Sequence, residues 1–123
     1  MAKSVIITGA SSGIGAALAH EFANRGYNIA LCARRVEKLE ALQQALIQKN
    51  SNLQIITAAL DVNALDTVSV VLNDIKTRLG NIDIVVANAG ITGVRRTGSG
   101  DLSVDKSIMQ TNLFGAIATI DAA

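Results

Sequence analysis

Three glycines near the start of the chain have the spacing of a phosphate cradle. They lie in Thr8-Gly9-Ala10-Ser11-Ser12-Gly13-Ile14-Gly15, between an apolar run, Val5-Ile6-Ile7, and an amphipathic segment from Ile14 to Arg25. The order strand, glycine turn, helix presents backbone N–H groups and the positive end of a helix to an anion. Gly9 lets the chain leave the strand sharply. Gly13 lets the backbone come close to a pyrophosphate, and Gly15 removes the side chain that would hold the new helix off the sheet. Ser11, Ser12 and Ile14 complete the candidate binding turn. A strand-to-helix turn that merely needs glycine is the plainer alternative; the flanks and the spacing favour a nucleotide phosphate site.

The choice of nucleotide turns on the end of the second strand. An acidic residue about 20 positions past such glycines bonds the adenosine ribose and favours NAD. This chain has Ala33 there, followed by Arg34 and Arg35. A carboxylate would repel a ribose 2′-phosphate, whereas a guanidinium grips it with two charge-assisted bonds. Such a bond contributes roughly 1.5–3 kcal/mol, or about one to two decades of preference. The expected cofactor is therefore NADP rather than NAD; the alternative is that both arginines belong to a solvated helix start.

Other chemistries find less support. No group of cysteine, histidine and carboxylate residues has metal-ligand spacing, so no metal site is expected. His20 reads as a helix-surface residue. Cys32 alternates with buried strand positions and reads as a small core residue. As the single cysteine it can form no disulfide within the chain, which fits a reducing compartment. A net charge of +1 gives no general basic surface for nucleic acid. No apolar run approaches the ~18 residues of a membrane span, and the apolar stretch at the start is too short for a secretory signal. The expectation is a soluble, cytoplasmic protein that binds neither nucleic acid nor membrane.

The elements that must position these residues alternate along the chain. Strands are expected at Ser4–Thr8, Asn28–Ala33, Leu53–Ala58 and Ile82–Asn88. Helices are expected from Ile14 to Arg25 (Ile14, Leu18 and Phe22 inward), from Arg34 to Lys49 (Val36, Leu39, Leu42 and Leu46 inward), and across Leu65, Val68, Leu72, Ile75 and Leu79. Gly26 suits the left-handed cap of the first helix. A glycine-rich loop from Gly90 to Gly100 precedes a last helix capped by Asp101 or Ser103. Half the residues are hydrophobic and only 2% aromatic, so the core is aliphatic. Strict alternation with right-handed crossovers gives an α/β fold, a Rossmann-type doubly wound parallel sheet of expected order 3-2-1-4. Ligands of such sheets bind at the carboxyl ends of the strands, where the order reverses. Four separated stretches meet there: Gly9 to Gly15, Ala33 to Arg35, Asp61-Val62, and Asn88-Ala89-Gly90.

In these stretches the chain resembles the short-chain dehydrogenase/reductases. The turn from Thr8 to Gly15 matches the family's Thr-Gly-x-x-x-Gly-x-Gly pattern throughout. Asp61-Val62 is similar to the pair after strand three that contacts the adenine. Ala87-Asn88-Ala89-Gly90 is similar to the family's Asn-Asn-Ala-Gly, departing at Ala87. Asn112, in Thr111-Asn112-Leu113-Phe114-Gly115, resembles the asparagine of the catalytic tetrad, which helps hold a water in the proton relay. Plainer readings stay open: Asp61 as a helix cap, Asn88 as a strand-end bond, and Asn112 as an amide at a helix bend.

The resemblance implies hydride transfer between NADP(H) and a small carbonyl or alcohol substrate. It also implies a serine and a Tyr-x-x-x-Lys pair that these 123 residues do not contain. The only tyrosine is Tyr27, and Leu31 stands four positions on. The span 1–123 therefore reads as a single but incomplete NAD(P)-binding domain, inactive alone, of a longer reductase. A non-enzymatic nucleotide-binding or interaction module is the alternative. An apolar fourth strand at an open edge, and an apolar last helix, imply a homo-oligomer through one or the other. Sedimentation over a concentration series is expected to show self-association; a monomer throughout would count against it.

Overall fold

The computed structural model describes residues 2–11 and 13–89. Within them the chain runs β1 (Ser4–Thr8), α1 (Gly13–Asn24), β2 (Asn28–Ala33), α2 (Val36–Lys49), β3 (Ile55–Ala59), α3 (Leu65–Leu79) and β4 (Ile84–Val86). The four strands form one sheet in the order β3-β2-β1-β4, and every pair is parallel. Thr8 lies opposite Cys32, Ile7 opposite Val86, and Ala33 opposite Ala59. The carboxyl ends of the strands therefore line up, and each strand-to-helix turn leaves from the same end of the sheet.

Period-two alternation divides the strand residues between two cores. Val5, Ile7, Ile29, Leu31 and Ile55 pack with Ala19, Ala23, Leu39 and Leu46 of α1 and α2. Ile6, Ala30, Cys32 and Ile56 pack with Val68, Leu72 and Ile75 of α3. Both faces are thus covered, as continuous apolar strands require. Each fully buried leucine or isoleucine contributes about 1.5–3 kcal/mol.

The elements differ from their expected bounds for local reasons. In α1 the buried residues are Gly15, Ala19 and Ala23, with Leu18 and Phe22 partly buried beside them. Ile14 is 71% exposed, so it does not belong to the inward stripe. Leu65 is also exposed, at the first position of α3. The end of α1 is a Schellman cap: Tyr27 N–H donates to the Phe22 carbonyl and Gly26 N–H to the Ala23 carbonyl, both at 3.0 Å, with Gly26 at φ +83°. Phe22 and Tyr27 close it edge to face, with centroids 5.0 Å apart.

Helix α2 begins at Val36 rather than Arg34, because Arg35 is extended (φ −113°, ψ 105°) and brings no side-chain cap. Strand β3 begins at Ile55 because Leu53 N–H turns to the Asn50 carbonyl and Gln54 N–H to Asn28 Oδ1. Strand β4 is shorter than the apolar run around it. At its start the Asp83 carboxylate accepts the Ser4 N–H at 2.9 Å while Asp83 N–H donates to the Ser4 carbonyl. At its end Asn88 N–H folds back onto the Val86 carbonyl at 3.0 Å. Its three residues are half-buried, and among the described residues β1 is its one strand neighbour. The loop from Gly90 to Gly100 and the last helix fall outside the described residues.

Among the described residues no helix is long and apolar enough to cross a membrane, and no group of ligating side chains could hold a metal ion. Cys32 is buried in the sheet, and desolvation pushes its thiol from 9.0 up to about 12. The folded protein therefore keeps a proton that the unfolded chain loses first. This contribution to stability is complete below 9.0 and falls as pH rises toward about 12. Chemical denaturation between pH 8 and 11 should show stability falling by at most about 1.4 kcal/mol per pH unit from this group. In Cys32→Ala that part of the slope should vanish; an unchanged slope would show that the thiol is not its source.

Candidate functional site

The site is built where β1 ends. Thr8 is buried, and its hydroxyl makes three contacts across the β1–β4 junction. Oγ1 donates to the Val86 carbonyl at 3.4 Å and accepts the N–H groups of Asn88 and Ala89, each at 3.0 Å. The backbone of β4 bends here, and the hydroxyl takes over from the parallel ladder. Asn88 then reaches back: its Nδ2 donates to the Gly9 carbonyl at 3.3 Å. Asn88 is thus a strand-end bond in this chain, binding the glycine turn to β4.

Gly9 and Gly15 show why the turn excludes side chains. Gly9 has φ +63°, and a Cβ there would stand 2.9 Å from Ala89 Cα. A Cβ on Gly15 would overlap the Gly9 carbonyl oxygen and come within 2.8 Å of Asn88 Nδ2. The first turn of α1 therefore rests directly on the end of β1 and on Asn88. Gly13 differs: it too has a positive φ, +61°, but, its two chain neighbours aside, no described residue lies within 4 Å of its Cβ position. Among the described residues the space in front of it is open, as an anion approaching the backbone requires. Ile14 projects beside it into solvent.

The neighbouring turns are fastened to the same end of the sheet. Ala10 N–H donates to the Cys32 carbonyl at 3.1 Å, and Leu60 N–H to the Ala33 carbonyl at 3.0 Å. Beyond Ala33 an open cleft of about 430 Å³ is lined by Ser11, Arg34, Arg35 and Lys38. Both arginines are exposed and enter no ion pair with a described residue. No side chain caps α2, so its first N–H groups add positive potential to this cationic region.

After β3, Val62 is buried in the core on the α3 side while Asp61 is exposed. Asp61 is not the N-cap of α3; that position is Ala64. The Asp61 carboxylate instead accepts the Asn63 N–H at 2.9 Å, forming the turn toward α3.

The expected site residues thus form two groups. Gly9, Gly15, Asn88 and Ala89 meet around Thr8, and Ser11 meets Arg34 and Arg35. Ser12, Gly90 and Asn112 lie outside the described residues. Two further residues contribute, Thr8 and Lys38, to which the motifs alone assign no role. Thr8 carried a signal, as the one polar residue closing an apolar strand. Lys38 carried a weaker one, as a third basic residue in the turn after Arg34-Arg35.

A family model described as short chain dehydrogenase matches residues 3–123. An uncharacterised oxidoreductase of Mycobacterium tuberculosis is 42% identical over 121 residues, covering 98% of this chain and 48% of that protein. The chain thus spans about half the length of this curated relative. An alcohol dehydrogenase from the archaeon Thermococcus sibiricus, solved with 5-hydroxy-NADP, superposes with a TM-score of 0.92 at 34% identity over 99% of this chain and 52% of its own. An NAD⁺-bound xylitol dehydrogenase superposes with a TM-score of 0.91 at 26% identity, over 98% of this chain and 46% of its own. Similar folds therefore carry either dinucleotide.

The geometry makes Thr8 a testable fastening. Thr8→Val removes the acceptor of two N–H groups and is expected to cost about 1–3 kcal/mol. Thr8→Ser should recover most of it. Urea denaturation measures both; equal stability of Thr8→Val and the parent chain would refute the fastening.

Proposed function

The chain belongs to the short-chain dehydrogenase family, and we propose that it forms the cofactor-holding half of an oxidoreductase that prefers NADP to NAD. The observation that carries the preference is the cleft beyond β2. Ala33 stands where a ribose-binding carboxylate would favour NAD, and Arg34, Arg35 and Lys38 line the space next to it with Ser11. A 2′-phosphate fits this set because every charged side chain in the lining is a cation.

The glycine turn suits the pyrophosphate. Gly13, which has no side chain of its own, and the N-terminus of α1 supply N–H donors there. In this reading Ser11, Ser12 and Ile14 border the pyrophosphate, while Asp61 and Val62 border the adenine. Asn88 and Ala89 continue the crevice toward the nicotinamide, and Gly90 follows them in sequence. Asn112 supplies the family's proton-relay asparagine. The nicotinamide, when bound, provides the hydride acceptor or donor for a carbonyl or alcohol.

The general acid/base that such chemistry uses in the family, Tyr-x-x-x-Lys, is not among these 123 residues. Tyr27 cannot replace it, because it precedes β2 at the opposite end of the sheet. We therefore assign binding to this chain and not turnover by it alone. Self-association through β4 or the last helix, and a cytoplasmic location suited to a lone reduced cysteine, belong to the same proposal.

Cofactor titrations of the parent chain and Arg34→Asp test the preference. The parent should bind NADP⁺ about ten- to a hundred-fold more tightly than NAD⁺. In Arg34→Asp that margin should disappear, through loss of a 2′-phosphate ligand and repulsion from the new carboxylate. An unchanged margin would mean that Arg34 does not read the 2′-phosphate.

A further inference from the structure

We propose that Lys38 is a third phosphate ligand of the cleft, and that it strengthens selection of a ribose 2′-phosphate. The inference rests on the NADP reading above and extends it to a residue one helical turn away. Lys38 is the third residue of α2 and lines the same cleft as Ser11, Arg34 and Arg35. Its neighbour Leu39 is buried against the sheet, which fixes the rotation of the helix. Glu37, the carboxylate of the same turn, is not part of the lining. The cleft thus gathers three cations and no anion.

Glu37 and Glu40 are near Lys38 in sequence, but neither forms an ion pair with it. Helix neighbours lie three and four positions apart. For Lys38 those positions within the helix hold Ala41 and Leu42; before it stand Arg35, the extended N-cap residue, and Arg34, which precedes the helix. No carboxylate stands at ion-pair spacing. Lys38 makes no ion pair with a described residue. Clustered cations at the positive end of a helix repel one another and the helix dipole. A phosphate dianion in the cleft relieves this repulsion, and its three terminal oxygens can accept from three cationic side chains. Lys38 stands in the first turn of α2, where the helix dipole disfavours a cation, and the carboxylate of that turn, Glu37, lies outside the lining of the cleft.

Calorimetric titration with 2′,5′-ADP and with 5′-AMP separates the outcomes, since the two probes differ in the 2′-phosphate. The parent chain should prefer 2′,5′-ADP. Lys38→Met should weaken 2′,5′-ADP about five-fold, the scale of a solvent-exposed ion pair, and leave 5′-AMP unchanged. Lys38→Arg should retain the affinity. Lys38→Met should also melt no lower than the parent without nucleotide, because it removes a repulsive charge; a purely structural lysine would lower the melting temperature. If the parent prefers 2′,5′-ADP and Lys38→Met binds it equally well, the role of Lys38 is refuted while the NADP reading stands. If the parent shows no preference between the probes, the NADP reading fails and this extension fails with it.

Discussion

The end of β1 must satisfy three neighbours within two residues. Thr8 closes the ladder to β4 with its side chain, using one hydroxyl for the Val86 carbonyl and the Asn88 and Ala89 N–H groups. Gly9 then turns the chain through a left-handed conformation so closely under Ala89 that no Cβ fits. Its carbonyl accepts from Asn88 and supports the first turn of α1 at Gly15. The direction in which the N-terminus of α1 points depends on this junction, and so does the open face at Gly13. The same constraint holds β1, β4 and α1 together and leaves a backbone surface bare for an anion.

Close approach also explains the small-residue face of α1. Gly15, Ala19 and Ala23 lie against the sheet, while Leu18 and Phe22 fill the margins. Hydrophobic periodicity selects the larger residues Ile14, Leu18 and Phe22, because it weighs transfer from water and not distance between backbones. The helix is held near the strands by what its glycine and alanines lack. Ile14 is therefore turned into solvent beside the cradle, although its apolar character and spacing point to the core.

Much of the architecture was legible in the chain. Alternating apolar runs and amphipathic segments specify parallel strands with helices on both faces, and the order β3-β2-β1-β4 follows from right-handed crossovers. Gly26 announced the Schellman cap. Less legible were features in which side chains replace backbone bonds. The apolar run around β4 gives no sign that Asp83 and Thr8 close its two ends. Arg35 has good helix propensity, yet it cannot cap a helix, and α2 starts after it. Lys38 joins the arginines only because α2 begins there with Leu39 buried, a rotation that local sequence does not fix. Asp61 reads as a ligand with a helix cap as its alternative, and in the fold it shapes the turn toward α3.

Charge is distributed to match these roles. The interior thiol of Cys32 is held neutral by burial, while the cations Arg34, Arg35 and Lys38 stand together around a cleft that a phosphate can enter. We propose that one dinucleotide spans both features, its pyrophosphate on the glycine turn and its 2′-phosphate among the cations. Amide chemical-shift mapping of the isotope-labelled chain tests this directly. NADP⁺ is predicted to shift the amides of Gly9, Ser11, Gly13 and Gly15 together with those of Arg34 to Lys38, and NAD⁺ to shift the first group with little change in the second. The same pattern with both nucleotides, or shifts confined to other parts of the sheet, would contradict the account.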